Sequence, residues 1–194
     1  MIAGHFGLAA GVKGRETATP LWASMLATQW LDVVFVPLFA AGVEGFEPLP
    51  GAKEGAYGGA IIHADYTHSL IGALVLSAVF GALFVRRYGK RSAVVLAAVA
   101  FSHWPLDLLF HYGDMPIMPG RGGRGPRLGF GLWAHPVVAA TLELALVIAG
   151  TALYWRAARA VAGAVPETRR RANLCGAGVL GSCLLSWVLS LLGV

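Results

Sequence analysis

The chain has 194 residues, of which 57% are hydrophobic and only 13% are charged, and its formal net charge is +5. This composition, with a mean hydropathy of +0.66, excludes an ordinary soluble protein and indicates an integral membrane protein. We attribute the positive charge to membrane topology and expect no nucleic-acid partner.

Apolar segments follow one another along most of the chain. The first, residues 1–12, is too short to cross a bilayer and lacks the basic start and cleavage site of a signal peptide, so we predict a half-length or re-entrant helix. Five further segments each have about the 20 residues that a spanning helix needs; they cover 19–43, 66–85, 92–111, 131–155 and 173–194. The expected fold is all-α: one polytopic membrane domain, 1–194, with about five transmembrane helices plus the N-terminal half-helix.

The basic residues are distributed unequally between the connecting loops. Eleven Lys and Arg residues lie in one alternating set of loops and four in the other. Because basic residues are retained on the cytoplasmic side, the first set is predicted to be cytoplasmic. The stretch "HADYTHSL", residues 63–70, and the C-terminus then lie at the outer face.

Several ionisable side chains lie inside the apolar segments: Asp32, His103, Asp107 and Glu143. Each would cost about 2.5–3.5 kcal/mol at the centre of a bilayer on insertion scales. No Lys or Arg lies within these segments, so either a bound cation or retained protons must neutralise the carboxylates.

The spacing of His103, Asp107 and His111 favours a cation. Positions i, i+4 and i+8 lie on one helix face, and imidazole with carboxylate is a common zinc-ligand set. The 1.5 Å rise per residue places Asp32 at a similar depth. His68 would lie nearer the outer surface and His5 deeper, so a tilted helix or a re-entrant N-terminus is needed to bring both to the same site.

Four short motifs follow one another along the chain: His5-x-x-x-Ala9, "QWLD" ending at Asp32, "HADYTHS" at 63–69 and "HWPLD" at 103–107. Over residues 1–111 they resemble the YdjM-like family of inner-membrane, metal-dependent hydrolases. Two positions depart from the family pattern. Gln29 to Asp32 stands where the family has two carboxylates, and Ala64-Asp65 replaces Arg-Gly.

The resemblance implies a metal site in a bacterial inner membrane. With the spacing argument, it makes five residues the expected metal ligands: His5, Asp32, His68, His103 and Asp107. Two aspartates with neutral histidines balance one divalent cation, so we expect one zinc ion, with a two-metal site as the alternative. The ion would lower the pKa of a bound water.

We expect catalytic or substrate-binding roles near that ion for several other polar residues. Asp65 or Glu143 is the expected base, and His63 or His111 the expected acid. A Gly-rich loop carries the arginines expected to hold an anionic group: Arg121, Arg124 and Arg127. Each of these residues also has a purely structural interpretation. Glu143 could be a protonated acid that forms structural hydrogen bonds, and His63, His111 and His135 could lie at the membrane interface without binding anything. The arginines could belong to a solvated loop.

The expected function is a hydrolase that acts on a lipid or a small ester, amide or phosphoester near the outer leaflet, with membrane lipids as partners. A proton- or metal-coupled permease that uses the same histidines and aspartates is the alternative. A third possibility is a membrane protein with a purely structural metal. The oligomeric state is open.

Overall fold

A computed structural model describes residues 1–53, 55–120 and 125–193. The described chain is mostly helical. Its α-helices are Ile2–Lys13 (α1), Leu21–Thr28 (α2), Trp30–Ala40 (α3), Leu70–Phe101 (α4), His103–Phe110 (α5), Pro136–Ala162 (α6) and Pro166–Leu192 (α7). A single 3₁₀ turn, Leu132–Ala134, precedes α6.

Three helical stretches of the described chain are long and apolar enough to cross a membrane. They are Leu70–Phe110, Pro136–Ala162 and Pro166–Leu192, and the pair α2 and α3, bent by 51°, adds a fourth if it forms one span. These lengths and compositions are compatible with a membrane-spanning bundle. The expected count of five spans is not reached by this criterion.

Helix α4 contains a break at Gly89, where φ is 79° and ψ is 168°. A Cβ added at Gly81 would lie 2.5 Å from the Ala93 carbonyl oxygen, although residues twelve apart in a straight helix are about 18 Å apart. The chain therefore folds back at Gly89, and Phe80 before the break shares a core cluster with Leu96 after it. The predicted segments 66–85 and 92–111 lie on either side of this reversal.

Two short antiparallel hairpins interrupt the helices and correct the purely helical prediction. Strand β1 (Gly45–Pro48) pairs with β2 (Ala60–His63), with Phe46 opposite Ile62, and β3 (Met115–Pro116) pairs with β4 (Arg127–Leu128). Phe46, Ile61 and Ile62 are of types that favour strands, although Gly and Pro lie close to them, whereas the two-residue strands β3 and β4 contain no such residue. One hairpin ends shortly before His68 and the other begins shortly after His111.

Helix α1 packs with its backbone directly against α6. Gly4, Gly7 and Gly11 of α1 and its C-cap residue Gly14 recur at intervals of three or four residues and lie against α6. A Cβ added at Gly7 would lie 2.6 Å from the Leu146 carbonyl oxygen, and one added at Gly150 would overlap the Gly7 carbonyl oxygen. This close approach, which small residues permit in membrane bundles, fixes α1 inside the bundle.

Candidate metal centre

Six side chains from separate parts of the chain converge in one cluster, here called the metal-centre cluster. Its members are His5 of α1, Asp32 of α3, His68 just before α4, His103 and Asp107 of α5, and His111 just after α5. Five of the six are buried, whereas the Asp32 side chain is 41% exposed. The cluster thus contains all five expected ligands together with His111.

The Asp107 carboxylate lies among four imidazoles. Its Oδ1 is 3.0 Å from His5 Nε2, and its Oδ2 is 2.9 Å from His103 Nε2. The same Oδ2 lies 3.7 Å from His111 Nε2 and 3.8 Å from His68 Nε2. The i, i+4 spacing of His103 and Asp107 on α5 produces the shortest of these contacts, as the sequence indicated.

Asp32 approaches the same imidazoles from the exposed side. Its Oδ1 lies 3.4 Å from His68 Nε2 and 3.6 Å from His103 Nε2, and these two nitrogens are 3.2 Å apart. Two groups of potential ligand atoms within 4.8 Å of one another arise among the described residues. They are His5, His103 and Asp107, and Asp32, His68 and His103.

A hydrogen bond determines which ring nitrogen of neutral His103 carries the hydrogen. Its Nδ1 lies 2.7 Å from the Thr28 carbonyl oxygen, and a carbonyl only accepts, so Nδ1 carries the hydrogen. That carbonyl belongs to the last residue of α2, where helical partners are lost, and the bend at Gln29 leaves it available. The neutral imidazole therefore has an unprotonated Nε2 directed at the aspartates.

Two consecutive hydrogen bonds through Thr67 determine which ring nitrogen of neutral His68 carries the hydrogen. The Thr67 hydroxyl donates to Glu44 Oε2 at 2.8 Å, so it accepts from His68 Nδ1 at 2.9 Å. The neutral His68 ring then also has an unprotonated Nε2. Two such lone pairs cannot hydrogen-bond to each other across 3.2 Å, so a cation or an additional proton must lie between His68 and His103.

Glu44 is a supporting residue that the sequence reasoning did not assign. Its Oε1 accepts hydrogen bonds from the backbone N–H groups of Tyr66 and Thr67 at 2.8 and 2.9 Å, and the carboxylate is buried. Glu44 thereby holds the turn that carries His68. It lies over 20 residues away in a Gly- and Pro-rich stretch, where no local pattern reveals the contact.

Asp114 supports His111 in a similar way. His111 Nδ1 lies 3.0 Å from Asp114 Oδ1, and Asp114 Oδ2 accepts from the Ile62 N–H at 2.7 Å. Burial would raise the pKa of Asp114, but the hydrogen bonds from His111 and Ile62 hold that pKa below its usual value. The i, i+3 spacing of the two residues was a usable signal that the sequence reasoning passed over.

His5 reaches the cluster because α1 is inserted into the bundle. Its ring stacks on His103 at a centroid distance of 3.9 Å and an interplanar angle of 9°. The Thr28 hydroxyl donates to the His5 carbonyl oxygen at 3.1 Å. The Nδ1 atom of His5 is buried and has no hydrogen-bond partner among the described residues. The gap that straight helices would leave between His5 and His68 is thus closed.

The two expected bases contact other partners. Glu143 is fully buried and accepts from the Gly4 N–H at 3.1 Å and from the Tyr57 hydroxyl at 2.9 Å. Asp65 forms an ion pair of 2.6 Å with Arg127. The structure therefore gives Glu143 a place at the start of α1, where it anchors the turn that carries His5.

The expected acid and the expected anion-binding arginines also have other contacts. His63 is exposed and lies 2.9 Å from Glu47 across the first hairpin. Arg127 donates to the Asp114 carbonyl oxygen at 2.7 Å as well as to Asp65, so its guanidinium ties the second hairpin to the turn before α4. Arg121 and Arg124 lie outside the described residues.

A cavity of about 440 Å³ adjoins the cluster. Asp32, His68, Asp107 and His111 of the cluster are among its lining residues. Most of its other walls are apolar: Phe35, Val36, Phe39, Phe46, Ile62 and Trp133. This volume is within the range of about 300–1,000 Å³ that is usual for small-molecule sites.

No protein family, curated protein or solved structure matches this chain. The resemblance to the YdjM-like family therefore rests on the four motifs alone.

Proposed function

We propose that this chain is a membrane-embedded metal-dependent hydrolase of the YdjM-like type, with its metal in the metal-centre cluster. The observation that carries the proposal is the close approach of the Nε2 atoms of His68 and His103, which lie 3.2 Å apart and each close to Asp32 and Asp107. Two carboxylates beside these nitrogens are electrostatically unfavourable unless a cation or an added proton compensates them, and we assign that role to a cation.

The distances support a small tetrahedral cation. Ligand atoms bound at about 2.0–2.1 Å to a tetrahedral zinc ion lie about 3.3–3.4 Å from each other. Five of the six distances among His68 Nε2, His103 Nε2, Asp32 Oδ1 and Asp107 Oδ2 range from 2.9 to 3.8 Å. The two aspartates belong to different groups of close ligand atoms, so a two-metal site stays the alternative. Two carboxylates with neutral imidazoles balance a divalent charge, so zinc is the proposed metal.

A divalent ion held there would supply Lewis acidity and a water of lowered pKa. The water oxygen would bond to the carbonyl carbon or phosphorus of an ester, amide or phosphoester, and the bond to the leaving group would break. His111 lines the cavity and is oriented by Asp114, so its Nε2 is placed to take the water proton and pass it to the leaving group.

We also propose five spans, with the cluster in the outer half of a bacterial inner membrane. The reversal at Gly89 supports two crossings within Leu70–Phe110. The ion pair of 3.3 Å between Arg91 and Glu16 supports placing their two loops on the same side of the membrane. The excess of basic residues in these loops makes the cytoplasmic side the proposed one. Gly55 lies against Gly193, which supports a C-terminus on the same side as the first hairpin.

Elemental analysis of detergent-purified protein tests the proposal. We expect about one equivalent of zinc in the wild type, allowing for a second ion, and loss of that metal in His103→Ala/Asp107→Ala. The matched control is His63→Ala/Glu47→Ala, which removes an exposed histidine–carboxylate pair and should retain the metal. A folded but metal-free wild type would overturn the hydrolase proposal and favour a proton relay, for which liposome flux assays are the next step.

A further inference from the structure

The cavity beside the metal-centre cluster has two chemically different ends. The polar lining residues His68, Asp107 and His111 are buried and form the inner end. The apolar lining residues Val36, Phe39 and Phe46 are about half exposed and form the outer end. Such a division between polar and apolar walls matches a molecule with one polar group and one apolar chain.

A continuous row of aromatic rings connects the two ends. Phe39 and Phe46 lie 5.2 Å apart, Phe46 lies 5.2 Å from Phe35, and the edge of Phe35 meets His68 at 6.1 Å. Phe35 is only 6% exposed, whereas Phe39 and Phe46 are about half exposed. The apolar path therefore begins at the molecular surface and ends at a proposed metal ligand.

The surface around the outer end is itself apolar. Val33, Val36, Phe39 and Val43 on and after α3 are all strongly exposed, together with Phe46 on β1. In water such a patch would be unfavourable, but the hydrocarbon of a bilayer solvates it. The entrance thus faces the environment from which an acyl chain comes.

We propose that this cavity binds one acyl chain of a lipid, which enters from the bilayer between α3 and the first hairpin. The chain lies along Phe39, Phe46 and Phe35, and the polar linkage of the lipid lies at Asp32 and His68. The inference rests on the proposed function, because it makes the substrate of the hydrolase a lipid ester, amide or phosphoester.

Photo-crosslinking in vesicles tests the site. The purified protein is reconstituted in phosphatidylcholine vesicles that contain a phosphatidylcholine with a diazirine on one acyl chain, and adducts are mapped after irradiation. Lipids around the protein will label exposed positions such as Val94, 68% exposed. Phe35 lines the cavity and is only 6% exposed, so we expect an adduct at Phe35 from a chain inside the cavity.

A cavity-filling variant provides the specific control. Val36→Trp should reduce adducts at Phe35 about tenfold or more, because the added ring occupies the path of the chain. Val94→Trp places the same ring on an equally exposed position away from the cavity and should leave those adducts unchanged. Adducts confined to exposed residues in the folded wild type, or equal deep labelling in Val36→Trp, would overturn the acyl-chain site.

Metal content measured on the same samples separates the two proposals. Deep labelling of a metal-free protein would support the lipid site while the hydrolase proposal fails. A metal-loaded protein without deep labelling would overturn the lipid site and leave the hydrolase proposal in place, with a small soluble ester as its substrate.

Discussion

The imidazoles of His68 and His103 face each other with their Nε2 atoms 3.2 Å apart. Each ring donates its Nδ1 hydrogen elsewhere, His68 to the Thr67 hydroxyl and His103 to the Thr28 carbonyl oxygen. The two Nε2 atoms are thus left to share a cation or a proton in a buried place.

Zinc should stabilise the folded protein through Asp107. A ligand at about 100 times its dissociation constant adds about 2.7 kcal/mol, or a rise in Tm of about 5–10 °C for a chain of this size. We expect that shift in wild type and its loss in Asp107→Asn, which keeps the shape of the side chain but removes its charge. Thermal unfolding in detergent, with and without chelator, measures this zinc-dependent rise in Tm. An equal shift in both proteins would place the metal elsewhere.

The Thr67 hydroxyl should tune metal affinity without touching the metal. Thr67→Val removes the acceptor that fixes the His68 ring, and loss of such a partner typically lowers metal affinity 10–100-fold. Competition with a zinc-binding dye measures the change. Thr67→Ser should restore affinity, and Thr141→Val, which removes a hydroxyl bonded to the Val137 carbonyl oxygen on α6, should not alter it. Unchanged affinity in Thr67→Val would contradict this role of Thr67.

Glu44 should stabilise the protein far more than Glu47, three residues later. Glu44→Ala leaves the N–H groups of Tyr66 and Thr67 and the Thr67 hydroxyl without their acceptor, at about 1–3 kcal/mol for each group that stays buried. Glu47 pairs with His63 at the surface, where such pairs contribute about 0–1 kcal/mol. Thermal unfolding should therefore give a large decrease in Tm for Glu44→Ala and little change for Glu47→Ala. Equal effects would mean that water replaces Glu44.

The same substitution at two glycines should have opposite effects. Gly150→Ala forces α1 and α6 apart, because the added methyl overlaps the Gly7 carbonyl oxygen, and overpacking of this kind costs about 1–3 kcal/mol. Gly178→Ala on α7 meets no atom within 4 Å and should be neutral or stabilising by up to about 1 kcal/mol, since Ala is the better helix former. We expect lower Tm and lower zinc content only in Gly150→Ala.

Cysteine accessibility should report the proposed topology. After Cys175 and Cys183 are replaced by Ser, His63→Cys on the first hairpin should react with a membrane-impermeant maleimide added outside intact cells. Arg87→Cys, near the Gly89 reversal, should react only after permeabilisation. Labelling of both from outside would exclude a crossing between the hairpin and Gly89.

The sequence by itself determined the class of protein and much of the local structure. Apolar composition and segment lengths are local properties, so the helices α6 and α7 and the short N-terminal helix follow from them directly. The spacing of His103 and Asp107 likewise placed two cluster members on one face of α5, because helical periodicity needs no tertiary information. His111 lies just beyond the end of that helix, where the backbone is extended.

Only the tertiary structure decided how the cluster is completed and supported. His5 and Asp107 are 102 residues apart, and their contact depends on the glycine-mediated insertion of α1 against α6. The same packing brings the Glu143 carboxylate into hydrogen-bonding distance of α1. The hairpins bring Asp65 to its ion pair with Arg127 and Glu44 to its hydrogen bond with Thr67. Buried polar groups take whichever partners the folded chain brings within hydrogen-bonding distance, and those partners come from distant segments that no local pattern connects.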